Sequence, residues 1–226
     1  MEAKERLARQ IGFIVETEKL KGVLRKTSPI HVARYENSAE HSWTLALMAM
    51  VLAEHADETL DPVRVLQMLL VHDLVEVDAG DTFCYDLAAN ATKMERERCA
   101  AERLFGLLPE DQEREFRQLW EEFEASASAE ARFANALDRL MPLLQNFHNH
   151  GGSWREFGIT VERALDRQRP IADASAALWE YAQSVFEEAR QRKLFLAEPG
   201  RAGGKSKVER GGSRRAEDRG RQEIRK

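Results

Sequence analysis

The sequence predicts an all-α protein, and three observations carry that expectation. Apolar residues recur at three- and four-residue spacing along most of the chain. No segment alternates with period two between turn signals. Helix-start signatures stand before the strongest periodic runs, as in Asp61-Pro62, an N-cap followed by proline at the first helical position. At 226 residues and 43% hydrophobic content, the chain can close a sizeable helical core.

Leu7, Ile11, Ile14 and Val15 mark a first amphipathic helix. Lys19–Asn37, with Gly22 and Pro29 and no sustained period, reads as connection. Asn37 or Ser38 caps the next helix, which runs through Trp43, Leu45, Leu47, Met48, Val51 and Leu52. It is apolar on most sides, so it is expected to be central. The helix opened by Asp61-Pro62, VRVLQMLLVHDLVEV, is apolar enough to be buried as well. After the loop DAGDTFCYD come Ala91–Leu107, Pro109–Glu124 and Glu130–Phe147, each with an apolar stripe and a charged outer face. HNHGGSW breaks the chain before a short helix near Thr160–Arg169. A last helix, Asp173–Lys193, places Leu178, Tyr181, Val185, Phe186 and Ala189 on one face. Trp120, Trp154 and Trp179 are expected in the core rather than as stacking platforms, and His148 and His150 in a surface loop.

Composition narrows the function. No apolar run approaches the ~18–20 residues of a membrane span, and MEAKERLARQIGF lacks the apolar region of a secretory signal. Cys84 and Cys99 form no CxxC pair, so a cytoplasmic, reducing setting is expected. The net charge of −5 hides an asymmetry: residues 197–226 hold ten Lys/Arg against five Asp/Glu, which leaves residues 1–196 at −10. An acidic body opposes broad contact with a phosphate backbone, so nucleic acid is not an expected partner. The Gly/Arg-rich tail has almost no large apolar residues and reads as a disordered extension of the body.

The chemistry is expected where polar residues interrupt helices that otherwise look like core. His41 stands at the front of one such helix, His72-Asp73 break MLLVHDLVEV, and Asp138 lies within FANALDRLMPLL. An ionised aspartate buried without a partner is costly, and a bound cation removes that cost. Imidazole with carboxylate suits one divalent ion, Mn, Co, Fe or Zn rather than Mg. Taken singly, each residue also fits a hydrogen-bonded core polar group; two adjacent donors matched by interruptions in two other helices shift the balance to a metal. Glu76 follows His72 by four and Asp73 by three, which puts all three near one helix face and places a proton-carrying group beside the ion. Gly80 between Asp78 and Asp81 is expected to supply a backbone conformation that turns Asp81 back toward the site.

ENSAEHSW (Glu36–Trp43), HDLVEVDAGDT (His72–Thr82) and ALDRL (Ala136–Leu140), in that order, resemble the signature segments of HD-domain phosphohydrolases, and among these the YfbR-type 5′-deoxynucleotidases. The resemblance runs roughly from Lys19 to Trp154. It implies a metal set of His41, His72, Asp73 and Asp138, a catalytic Glu76, and Asp81 facing the substrate. It also implies a phosphate-binding arginine upstream of the first histidine, for which Arg25 is the candidate and Arg34 a second. Lys26 stands where the nucleotidases carry a tryptophan thought to exclude ribose, so the resemblance stops short of a sugar preference.

The expected activity is metal-assisted hydrolysis of a phosphomonoester, with a 5′-nucleotide as substrate. Asp73 bonds both ion and water, while Glu76 and Asp81 handle protons. Other phosphate esters, including nucleoside triphosphates, are the nearest alternative. A non-catalytic nucleotide-binding module and a plain interaction bundle are the others. The apolar faces of at least six helices exceed what one small body buries, and with the resemblance they imply a homodimer.

Overall fold

The computed structural model describes residues 2–196. Its elements are α1 (Ala3–Thr17), α2 (Ser38–Leu52), α3 (Pro62–Val71), α4 (Glu76–Ala79), α5 (Leu87–Asn90), α6 (Lys93–Phe105), α7 (Glu110–Ala125), α8 (Ala129–His148), α9 (Gly152–Glu156), α10 (Val161–Gln168) and α11 (Ala176–Gln191). Short 3-10 turns cover Glu18–Gly22, Ala53–His55 and Arg169–Asp173. Among the described residues there is no strand, only an isolated antiparallel bridge between Leu24 and Asn37. The expected tail lies outside the described residues.

The 20-residue α8 is the hub. It packs on α2, α3, α7, α9, α10 and α11 and buries Phe133, Ala134, Leu137, Leu140, Leu143 and Phe147. Leu45 of α2, Met68 and Leu69 of α3, and Leu104 and Phe105 of α6 complete the same core. The start signals act as written. The Asp61 side chain accepts from the Val63 and Arg64 amides ahead of Pro62, and Thr160 and Ser175 cap α10 and α11. Asn37 and Glu40 form a reciprocal capping box at the front of α2.

Four expectations change. The apolar stripe of α1 is exposed: Leu7, Ile11, Ile14 and Val15 are all more than half open, and only Phe13 is buried. The helix docks instead through polar groups. Arg9 donates to the carbonyls of Gly106, Leu107 and Leu108, which lie just beyond α6 and lack helical donors. Arg6 pairs with Asp111 of α7. Second, α2 is not enclosed; it buries Ser38, His41, Ser42, Leu45 and Ala49 and exposes Trp43, Leu47, Met50 and Val51. Third, Tyr181 is half exposed and Ala182 takes the buried position on α11. Trp120 and Trp154 are core residues, whereas Trp179 is only partly buried.

The fourth change shapes the site. The helix beginning at Pro62 stops at Val71, and residues 72–75 form tight turns before α4. Leu74, Glu76 and Val77 each donate to the carbonyl three residues back. This overwinding brings residues i and i+3 into line, so Asp73 and Glu76 share a face. At Gly80, φ +71° is a conformation that side-chain-bearing residues resist, and it directs the chain into Asp81.

Candidate metal centre and its pocket

Lys19–Asn37 is more ordered than a plain connection. The Arg25 amide donates to the Glu36 carbonyl, the Glu36 amide to that of Thr27, and the Ser38 amide to that of Val23. This pairing brings Arg25 and Glu36 to the front of α2, beside His41. Asp138 arrives from α8, and His72 and Asp73 from the end of α3.

One nitrogen or carboxylate oxygen from each of His41, His72 and Asp73 lies within 4.8 Å of those of the others, and all three residues are buried. Asp138 Oδ1 is 3.0 Å from His41 Nε2 and 3.9 Å from His72 Nε2. The decisive detail is at His72. Its Nδ1 lies 2.9 Å from the Leu69 carbonyl, which only accepts, so Nδ1 carries a proton and Nε2 is the nitrogen left to ligate. That Nε2 is buried and has no hydrogen-bond partner, although Asp73 Oδ1 is 3.1 Å away. An imidazole nitrogen and a carboxylate oxygen converging in this way suit a shared cation. Beyond the cluster, Glu36 Oε2 sits 3.1 Å from His41 Nδ1, and Glu36 Oε1 accepts from Gln145 at 2.6 Å. A carboxylate behind a ligating imidazole fixes its tautomer and raises its basicity.

Charge points the same way. Asp73, Glu76, Asp81, Asp138 and Glu36 all come within 4.0 Å of the Arg25 guanidinium, the shortest contact being 2.7 Å to Asp73 Oδ2. Two carboxylates ~4 Å apart repel by about 4 kcal/mol at an effective dielectric near 20, and one arginine cannot neutralise five. Burial opposes the arginine's charge, yet Asp73, Glu76, Asp81 and Asp138 together raise its pKa. Burial, and after it the charge of Asp73, pushes the Glu76 carboxyl well above its usual range. Burial raises Asp81 too, against the pull of Arg25. Asp138 behaves oppositely: despite burial, the hydrogen bond with His41 holds it well below the ordinary value. Burial and Arg25 press His41 down, but its bonds to Asp138 and Glu36 carry it up to about 9 in the metal-free protein.

The cluster forms one wall of a cavity of about 120 Å³, partly open to solvent. Phe83, Tyr85, Phe123 and Trp154 supply apolar lining, and Lys93, Glu97, Arg139, Arg167 and Gln168 supply polar lining. Pro142 also lines it and has no N–H to give the Asp138 carbonyl one turn earlier. Burial, then the like charge of Arg167, holds Arg139 below its usual pKa.

The structure therefore gathers His41, His72, Asp73, Glu76, Asp81, Asp138 and Arg25. Arg34 is not among the pocket-lining residues; its exposed guanidinium is paired with Glu40 of α2. Asp78 faces outward and pairs with Arg103, and His148 and His150 are exposed. The sequence points to no role for Glu36, Gln145 or Arg167. Glu36 lies in the quoted ENSAEHSW segment, but its position behind His41 depends on a loop pairing with no periodicity to announce it.

An HD-domain family model matches residues 17–179, a span that contains every residue of the cluster. The chain belongs to the HD domain family. Among curated relatives of this HD-domain protein, 5′-deoxynucleotidase HDDC2 of Homo sapiens is 38% identical over 115 residues, covering 51% of this chain and 55% of that one. The chain thus spans about half the length of that relative. The Xenopus laevis protein of the same name is 36% identical over 164 residues, covering 70% of this chain and 80% of that one. A crystal structure of a predicted metal-dependent phosphohydrolase from Magnetospirillum magnetotacticum MS-1 superposes with a TM-score of 0.82 at 50% identity, covering 85% of this chain and 97% of that one. A Pyrococcus furiosus protein, at TM-score 0.58 and 23% identity over 80% of this chain and 99% of that one, shares the fold.

Proposed function

We propose that this HD-domain protein is a metal-dependent phosphohydrolase that removes the 5′-phosphate from (deoxy)nucleoside monophosphates. The observation that carries the reading is the bare His72 Nε2 facing Asp73 Oδ1, with His41 and Asp138 closing around them. The 5′-deoxynucleotidase relatives and the phosphohydrolase neighbour support the choice of reaction.

His41, His72, Asp73 and Asp138 hold the ion. A divalent cation there supplies charge that polarises the phosphoryl group and makes water nucleophilic near neutral pH. The nitrogen-containing donor set favours Mn, Co, Fe or Zn over Mg. Arg25, tied to Asp73 through one nitrogen, has further guanidinium donors for the phosphate oxygens. Glu76, whose carboxyl burial pushes above its usual range, is placed to give a proton to the 5′-oxygen as the P–O bond breaks. The Ser38 hydroxyl donates to Glu76 Oε2 and fixes the carboxyl in place. Asp81, its basicity raised by burial, takes the proton of the attacking water. Lys26 lines the pocket and leans over Tyr35, so both ribose and deoxyribose nucleotides belong in the substrate set.

The exposed apolar stripe of α1 and the exposed Trp43, Leu47, Met50 and Val51 of α2 support a homodimer. Among the described residues no helix is long and apolar enough to cross a membrane. The free Cys84 and Cys99 support a reducing, cytoplasmic setting.

A phosphate-release screen tests the reading: nucleoside mono-, di- and triphosphates and sugar phosphates, each with Mn, Co, Fe, Zn and Mg. Turnover should concentrate on 5′-monophosphates and fall to background in folded Asp73→Asn and His72→Ala proteins. No release from any ester by the metal-loaded protein, or wild-type turnover by metal-loaded Asp73→Asn, overturns it.

A further inference from the structure

The cavity is lined by cationic and carboxylate side chains together, and not every cation in it is ion-paired. Arg25 is engaged with Asp73, Lys93 lies 3.5 Å from Glu97, and Lys26 leans over the Tyr35 ring. Arg139 and Arg167 differ. Among the described residues neither has a carboxylate within ion-pair distance, although both line the cavity. Arg139 is steadied through Nη1 by the carbonyl and side chain of Asn135, and its buried Nε has no partner at all. Arg167 makes no side-chain hydrogen bond. Beside it, Gln168 is 4% exposed, lines the same cavity, and has a buried Oε1 without a partner. Its amide can rotate to present a donor.

Buried polar groups are normally satisfied, and each exception calls for an explanation. Two guanidiniums lining one cavity without an ion-paired carboxylate, next to an unsatisfied amide, suit an anion that each can grip with paired donors.

We propose that Arg139, Arg167 and Gln168 form a second anion subsite, built for a phosphate group other than the one hydrolysed. That assignment rests on the phosphohydrolase reading, which places the scissile phosphate at Arg25 and the His/Asp cluster. The second phosphate belongs either to the substrate itself, as in a nucleoside 3′,5′-bisphosphate, or to free inorganic phosphate.

Two measurements separate these cases from each other and from failure of the parent reading. The first is calorimetric titration of inorganic phosphate into the metal-free full chain, where the carboxylate-rich cluster around Arg25 repels anions and leaves the arginine pair as the binding place. One saturable site is expected, weakened about tenfold or more in Arg167→Gln and Arg139→Gln. Arg167 is only partly buried and has no side-chain hydrogen bonds to lose, so its variant keeps the fold even where Arg139→Gln does not. No phosphate binding by the wild type, or equal binding by Arg167→Gln, overturns the subsite. The second compares KM for a deoxynucleoside 3′,5′-bisphosphate with KM for the 5′-monophosphate in metal-loaded protein. A preference of about tenfold that collapses toward unity in Arg167→Gln assigns the second phosphate to the substrate. Phosphate binding lost in the variant without any bisphosphate preference supports the subsite with free phosphate as its occupant. If no nucleotide is hydrolysed, the parent reading fails while the calorimetry still decides the subsite.

Discussion

Glu36 touches nothing that reacts, yet replacing it with glutamine should weaken metal binding by about 10–100-fold. The carboxylate is 2% exposed and sits between His41 Nδ1 at 3.1 Å and Gln145 Nε2 at 2.6 Å. Glutamine has the same shape. Its carbonyl oxygen can still accept from His41, and its NH2 would meet Gln145. There the unpaired Gln145 Oε1 becomes an acceptor once that amide turns over. Packing and hydrogen bonding survive, so Tm should move by only a few degrees. What disappears is the negative charge that makes the His41 imidazole a stronger donor. The predicted loss corresponds to about 1.4–2.7 kcal/mol of binding free energy. Calorimetric titration of Mn(II) into metal-stripped wild type and Glu36→Gln, with melts run alongside, gives both quantities. A Kd within about threefold of wild type would refute the supporting role of Glu36. A collapse of Tm together with affinity would show Glu36 to be structural instead.

The raised pKa of His41 sets two pH dependences in the metal-free protein. Between pH 6.5 and about 9 the native chain keeps a proton that the unfolded chain has released. This contribution to stability is therefore complete below pH 6.5 and is lost as pH rises through 9; melts of stripped protein across that range should show the decline. Metal binding must displace the same proton, so apparent affinity should climb with pH over the same window, up to about tenfold per unit; a flat profile would count against His41 as a ligand. Asn37→Ala removes the side-chain acceptor of the Glu40 amide and half of the capping box. About 1 kcal/mol of stability should go with it, a drop of about 2–4 °C in a thermal melt. Trp43→Asp combined with Ile11→Asp should turn a dimer into a monomer by light scattering, whereas a monomeric wild type would remove the dimer proposal.

Helical periodicity and capping chemistry made the elements legible. Asp61-Pro62, Thr160 and the Asn37/Glu40 box start helices where their side chains satisfy free amides. The same periodicity misjudged which faces are buried. The stripe on α1 is real as a pattern, but the helix docks through Arg6 and Arg9, because carbonyls beyond α6 needed donors and Arg9 supplies them. The overwinding after Val71 was equally hidden, since an apolar run continues straight through it. Polar interruptions in core helices pointed to His41, His72, Asp73 and Asp138, which meet in space. Arg34 had the right charge on the wrong side of the loop, where Glu40 claims it. Glu36 gave no local signal, because its position depends on a pairing with Gln145 more than a hundred residues away, and nothing in the pattern around Arg139 and Arg167 shows that they line the same cavity.

One ion held by residues from three helical segments is what the proposed chemistry requires. Anomalous diffraction at the manganese edge, from crystals grown with excess Mn(II), tests that directly. One strong peak per chain is predicted, about 2.0–2.3 Å from His41 Nε2, His72 Nε2 and one oxygen each of Asp73 and Asp138. A peak elsewhere, or an empty cluster at saturating metal, would contradict it.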